Sequence, residues 1–243
     1  MRSALLLSSL LLLASPAFAL DGQQILQKVD RNLEPESYES YRKLIDIQPD
    51  GTQKAYVLWT VKKGADKVLA LFLEPASDKG RVTLRLGENM WLYMPSVGKP
   101  IRITSLQSVT GSVFNNADIL RVDYTAEYNA ESVEEQKDVY LLALKAKTGE
   151  VAYDRLKMWV DKKTLLPLTI EAYAASGLLL KTLRFKNVKD FGGGIKRPAT
   201  LETESPLYKG YKSVMLWSAL KKGSFPDEIF TLNYLPRVQE LRK

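Results

Sequence analysis

The sequence predicts a mainly β protein with few short helices, organised around a curled antiparallel sheet or two stacked layers. Three observations predict it. Turn residues recur about every 8 to 15 positions, the spacing of antiparallel meanders rather than of parallel sheets with crossover helices. Only one segment has the period of an amphipathic helix. Several strand candidates are apolar on both faces: Tyr56, Leu58 and Thr60 alternate with Val57, Trp59 and Val61, and Val68, Ala70 and Phe72 with Leu69, Leu71 and Leu73. A sheet with one wet face would alternate apolar and polar residues more cleanly. With too few helices to cover two faces, the sheet must curl or stack, and either solution creates an interior. Periodicity alone leaves open whether that interior is packed or partly empty.

Taken in order, the chain opens with Arg2, an apolar stretch over residues 5–13 and the small-residue site Ala17-Phe18-Ala19. This pattern predicts a secretory signal peptide over residues 1–19, cleaved after Ala19, because the apolar stretch is shorter than the roughly 20 residues of a membrane-spanning helix. Residues 20–243 are then expected to form a single domain. From Asp21, a suitable N-cap, Ile25, Leu26 and Val29 fall on one helical face, and the helix ends before Pro35. Strands are predicted at 38–47, 53–61, 67–73, 81–86, 89–94 and 99–104, then at 137–147, 153–161, 168–174, 179–188, 199–204, 212–221 and 228–233. Residues 107–120 read as a loop leading into a short helix near 117–121. Residues 123–138, rich in Glu, read as a solvated loop or hairpin.

The composition excludes much chemistry. There is no His and no Cys, hence no imidazole base, no thiolate nucleophile, no disulfide and no zinc site of the usual kind. No metal site and no cofactor is expected. Ser96-Val97-Gly98-Lys99 and Ser218-Ala219-Leu220-Lys221 match S-x-x-K, and Lys147-Thr148-Gly149 matches a second element of penicillin-recognising enzymes. The Lys-Thr-Gly precedes one of the two S-x-x-K strings, no Ser-x-Asn element joins them in the proper order, and Ser218 falls in a strand pattern rather than at a helix start. Asp190-Phe191-Gly192 lacks the His-Arg-Asp loop of a kinase. Carboxylate pairs for glycoside hydrolysis are set by distance in the fold, and no Asp or Glu stands out. The net charge of +7 is spread along the chain, which suits a soluble basic surface or attraction to an anionic membrane face. Nucleic acid is not an expected partner, since no basic run is interleaved with aromatics.

One run carries a resemblance: Met90-Trp91-Leu92-Tyr93-Met94-Pro95, followed by residues 99–104 and by Thr110-Gly111-Ser112-Val113-Phe114 with Asp118. With Leu58-Trp59-Thr60-Val61-Lys62-Lys63, Glu74-Pro75-Ala76, Met158-Trp159-Val160-Asp161 and Phe230-Thr231-Leu232 in the same order, the chain resembles the outer-membrane lipoprotein-sorting proteins of the LolA-like superfamily from about residue 41 to 235. The resemblance implies a half-open β-barrel with an N-terminal helix and a short helical lid over a hydrophobic cavity that binds acyl chains in the periplasm. Cavity candidates are Trp59, Phe72, Trp91, Tyr93, Phe114, Trp159 and Trp217, with ordinary core packing the other role open to each. Lid or loop candidates are Lys62, Lys63, Gly111, Ser112 and Asp118. Two departures stand out. Members commonly carry an acidic residue where this chain has Val113. The lipoprotein carrier has a lid-closing Arg where this chain has Lys62-Lys63, and a Lys ammonium does not replace a planar fork of donors.

The function this implies is a periplasmic, monomeric, non-enzymatic carrier of a lipid or lipidated protein between envelope membranes, loaded by an inner-membrane transporter and touching membrane surfaces transiently. The alternative is an envelope-stress or transporter-associated interaction protein that senses lipid on the same scaffold. Such regulators carry a second C-terminal domain for which 243 residues leave no room, which favours the carrier. Co-purifying lipid would support carriage; turnover of an ester or glycoside would support an enzyme.

Overall fold

Asp21 accepts a 2.7 Å hydrogen bond from the backbone N–H of Gln24, satisfying one of the free donors that open a helix. The helix that follows, α1, spans Gly22–Leu33 and buries Ile25, Leu26, Val29 and Leu33. The computed structural model describes residues 21–242; the leader expected over residues 1–19 lies outside them. Among the described residues no helix is long and apolar enough to cross a membrane.

Six strands follow as a meander: β1 Ser37–Ile47, β2 Gln53–Lys63, β3 Lys67–Glu74, β4 Val82–Leu86, β5 Asn89–Tyr93 and β6 Ile101–Ile103. After two one-turn helices, α2 Asn116–Ile119 and α3 Tyr124–Glu127, seven more return: β7 Tyr128–Glu135, β8 Val139–Ala146, β9 Arg155–Asp161, β10 Pro167–Tyr173, β11 Leu179–Asp190, β12 Lys196–Glu204 and β13 Lys212–Lys222. All thirteen form one antiparallel sheet in which each strand pairs with its sequence neighbour, except that β1 also pairs with β13 and β6 and β7 are left as the two edges. The sheet is therefore curled but not closed. Its open side lies where the chain passes from β6 to β7 through residues 104–127.

Alternation along the strands sorts the side chains into two apolar clusters. Leu44 of β1, Leu58 of β2, Phe72 of β3, Met158 of β9, Ile170 of β10 and Met215 of β13 point inward and pack with α1 and with Phe114, Ile119 and Leu120 of the crossing segment. The opposite face of β2–β5 carries Trp59, Val61, Leu69, Leu71, Val82, Leu84 and Tyr93, and packs against Ile229, Phe230, Leu235 and Val238. This second layer explains the doubly apolar strands: one face meets the interior, the other the chain's own C-terminal segment.

That segment differs from the sequence expectation. Residues 228–233 are not a strand; Asp227–Phe230 and Leu232–Arg242 are 3₁₀ helices. Leu232, Leu235, Val238 and Leu241 recur every third residue, which places them on one face of a helix with three residues per turn. Residues 123–138 take the hairpin alternative: after α3, the edge strand β7 turns at 136–138 into β8, with Glu131 and Glu135 on its exposed side paired to Arg155 and Lys162.

Because the outer layer rests on a few side chains, Leu235→Ala should lower unfolding free energy by about 2–5 kcal/mol, while Leu232→Ala, already 37% exposed, should cost well under 1 kcal/mol. Chemical denaturation of both variants checks this; equal effects would mean that the C-terminal helices do not seal the sheet.

Candidate functional site

The inner face of the sheet carries charged groups at positions where alternation demands inward side chains. On β1 the inward set is Tyr38, Ser40, Arg42 and Leu44, all buried. On β2 it ends with the fully buried Lys62, and on β4 it includes Arg85, opposite in parity to Val82 and Leu84. An unpaired charge there would be prohibitive, and each finds its partner on the crossing segment. Arg42 donates to the carbonyl of Ile119 at 3.1 Å and to the Tyr38 hydroxyl at 2.9 Å. Arg85 donates to the carbonyl of Leu120 at 3.3 Å and pairs with Glu127. Lys62 pairs with Asp123 at 2.6 Å.

The other wall completes the set. Lys181 of β11 pairs with Asp118 at 2.7 Å and donates to the carbonyl of Val113 at 2.6 Å. Tyr153 donates to Asp118 at 2.9 Å while accepting from the side chain of Asn115, and Asn115 and Asp118 form a reciprocal capping box around α2. Asp46 accepts from the Ser213 hydroxyl at 2.6 Å, and that hydroxyl oxygen accepts the Val113 backbone N–H at 3.0 Å. Asp30 of α1 accepts from the backbone N–H groups of Tyr124 and Thr125 and from the Thr125 hydroxyl. Glu34, just past α1, joins Arg121 of the crossing segment to Arg197 of β12, the latter at 3.1 Å. Arg197 and Arg42 both lie over the Trp217 ring, at 4.4 and 5.3 Å, the geometry of cation–π attraction.

These latches hold apolar side chains in place. Val109, Phe114, Ile119, Leu120 and Val122 of the crossing segment are at most 2% exposed and fill the interior. The space left beneath them, bounded by Ala117, Tyr128, Leu156 and Leu201, is about 30 Å³, about one water molecule. Beside the segment, at the end of the sheet where β11 begins and β12 ends, a cleft of about 480 Å³ opens between Leu106, Phe114, Leu180 and Leu207. Among the described residues no group of three or more acidic side chains is placed to hold a metal ion.

The expected site residues divide. Phe72, Phe114 and Trp217 lie in the inner cluster. Trp59, Tyr93 and Trp91 lie instead in or against the outer cluster, beneath the C-terminal helices, because both faces of β2–β5 are covered. Trp159 has the parity opposite to the buried Met158 and Val160 and is only half-buried on the outer side. Lys62 meets the crossing segment, whereas Lys63 points outward and pairs with Asp227 at 3.1 Å. Gly111 has φ +81°, a conformation that favours glycine. Ser112 bonds within its own turn, donating to the carbonyl of Phe114. Arg42 and Arg85 supply the planar forks missing at Lys62-Lys63. They, with Asp30, Glu34, Asp46, Arg121, Lys181 and Arg197, were missed by sequence reasoning; a charged residue at an inward parity, as at Arg85, was the available signal.

Electrostatics separate the acids. Burial pushes the Asp30 carboxyl up to about 6 despite its Thr125 and Tyr124 donors, with Asp123 adding to the rise. Burial likewise lifts Asp46 to about 6 against the Ser213 hydrogen bond. Burial opposes ionisation of Glu34 too, but Arg121 and Arg197, then Lys62 and Arg42, hold it far below the ordinary carboxylate range.

Several solved structures share this architecture. A LolA superfamily protein from Nitrosomonas europaea is 32% identical, with a TM-score of 0.80, over 89% of this chain and 100% of its own. An outer membrane lipoprotein-sorting protein domain from Vibrio parahaemolyticus is 23% identical, TM-score 0.76, over 89% and 98% of the two chains, a likeness of fold. A DUF1329 family protein from Desulfovibrio piger is 26% identical, TM-score 0.76, over 88% and 97%. A family model described as that of an uncharacterized protein matches residues 64–237. No curated protein matches.

The raised acids set a pH dependence. Asp30 and Asp46 titrate near 6 when folded and near 3.8 when unfolded, so between those values the native state holds the extra protons and stability rises as pH falls. Glu34 has the opposite sign, and its contribution is lost only as pH falls below about 4.5. Melting temperature should therefore be greatest near pH 5, with Asp30 contributing roughly 1 kcal/mol of the gain between pH 7 and 5. In Asp30→Asn/Asp46→Asn that gain should shrink; a wild-type stability that falls steadily from pH 7 to 5 would contradict the assignment.

Proposed function

The chain belongs to the LolA superfamily, and from that premise we propose that it is a periplasmic carrier, not a catalyst, which takes the acyl chains of a lipid or lipoprotein inside the half-barrel. Residues 20–243 act as one lipid-binding domain after removal of the leader. A membrane-embedded partner loads it, the direction of transfer runs between the envelope membranes, and the carrier works as a monomer.

The observation that carries this reading is that the apolar interior is filled by a segment latched through polar bonds rather than woven into the sheet. Phe114, Ile119, Leu120 and Val122 occupy the space that an acyl chain needs, and the segment holding them crosses the open side between β6 and β7. The energetic comparison is close. Four apolar side chains leaving the interior forfeit roughly 1.5–3 kcal/mol each, while an acyl chain of about sixteen carbons gains about 0.8 kcal/mol per buried methylene. Near-balance suits a carrier, because cargo held much more strongly than the lid would not be released. Shape and apolar area are enough to recognise an acyl chain.

Native mass spectrometry of the protein purified from the periplasm, with lipid extraction of the same sample, should show a stoichiometric acyl-bearing species. Phe114→Asp, which puts a charge where the acyl chain would lie, should abolish it, and Phe114→Leu should retain it. A clean unliganded mass that persists after incubation with envelope lipids would sink the carrier reading.

A further inference from the structure

Among the described residues, five of the ten exposed large apolar side chains cluster in one place. Leu106, Leu178, Leu207, Tyr208 and Tyr211, between 41% and 60% exposed, all belong to the turns at one end of the sheet, the end at which the 480 Å³ cleft opens. The turns are fixed. In loop 205–211 the Ser205 hydroxyl donates to the carbonyl of Leu180 and accepts from the N–H of Leu207 at 3.2 Å, and Tyr211 donates to the carbonyl of Tyr208 at 3.1 Å. In loop 174–178, Gly177 donates to the carbonyl of Ala174 at 2.9 Å. Apolar tips that a rigid backbone holds in water, without covering them, mark a surface that meets something else.

We propose that this rim docks on the interface of a lipid bilayer, with anionic headgroups as the favoured contact. The chemistry selects it over a protein partner. The tips stand on separate turns around an opening and do not form one flat apolar strip. Loop 174–178 carries no charge, and the only charge in loop 205–211 is Lys209. Lys209 makes no ion pair among the described residues, and neither does Lys54, which borders the same small pocket as Tyr211. Of the neighbouring acids, Glu204 is paired with Arg184, Asp50 closes its own turn by accepting from the N–H of Thr52, and Asp46, which borders the same pocket as Lys54 and feels its charge, is buried and accepts from the Ser213 hydroxyl. Leucine tips enter the acyl boundary, tyrosines sit at headgroup depth, and free lysines meet anionic phosphate. The docked orientation turns the cleft toward the bilayer, which rests on the carrier reading for its use but not for its existence.

Flotation of the purified chain with vesicles of phosphatidylcholine, alone or mixed with phosphatidylglycerol, tests the proposal. The wild type should float, more with phosphatidylglycerol and less as salt rises. Leu178→Ser/Leu207→Ser/Tyr208→Ser, with an unchanged melting temperature, should lose at least about tenfold in vesicle affinity. Lys54→Gln/Lys209→Gln should lose the preference for phosphatidylglycerol and keep the weaker binding. Uptake of a soluble fluorescent fatty acid is read in parallel. Rim-dependent flotation without fatty-acid uptake would uphold docking and sink the carrier reading. A wild type that ignores both vesicles overturns the proposal and leaves the rim to a protein partner. A triple variant that floats like the wild type overturns it as well.

Discussion

Arg42, Lys62 and Arg85 reach inward from β1, β2 and β4 and end on Ile119, Asp123, Leu120 and Glu127 of the segment that crosses the open side of the sheet. A curled sheet that stops short of closure has two edges that water can satisfy and an apolar inner face that must be kept from water. Here the chain covers the inner face with its own residues 104–127 and fastens them with buried charge. α1 is tied to the same segment, through Asp30 to Tyr124 and Thr125 and through Glu34 to Arg121.

Buried charge is a particular kind of fastening. It adds little net stability compared with an apolar contact of equal volume, yet losing one partner leaves the other stranded at a cost of about 3–5 kcal/mol. The latch is therefore either closed with every group satisfied or open with the groups solvated; half-open arrangements are penalised. Many of its bonds end on backbone carbonyls or N–H groups, at Ile119, Leu120, Val113, Tyr124 and Thr125, so the contacts fix the position of the segment more than the identity of its side chains. On the carrier reading proposed above, a lid needs this combination: an apolar plug on a polar frame that disfavours intermediate positions. What is used at Val113 is its N–H and its carbonyl.

Much of this was legible in the sequence. Twelve of the strands lie where apolar runs and turn residues put them, because each is bounded by Gly, Pro, Asn or Asp and stands beside its neighbour in the chain. Asp21 as a cap and the short helix after Asn115 were legible for the same local reason. What failed was non-local. The second apolar face of β2 and β3 was read as evidence for an interior and turned out to be the seat of a C-terminal 3₁₀ segment, so Trp59, Trp91 and Tyr93 lie outside. The strand β7 was hidden because an edge strand has few apolar residues to betray it. The latch was hidden because no spacing in the chain relates Arg42 to Ile119 or Glu34 to Arg197; only the curl of the sheet brings them together.

The absence of native cysteine makes one measurement especially direct. Ala117→Cys places a single thiol on α2, at a position 8% exposed and facing the space beneath the crossing segment. Its labelling rate with a polar maleimide reports how often that segment leaves the sheet. The account predicts slow labelling of the free protein, and a rate raised at least about tenfold either by adding a lysophospholipid or by Lys181→Met, which strands the buried Asp118. Labelling that is slow and equal in all three conditions would mean that residues 104–127 are permanent core and not a lid.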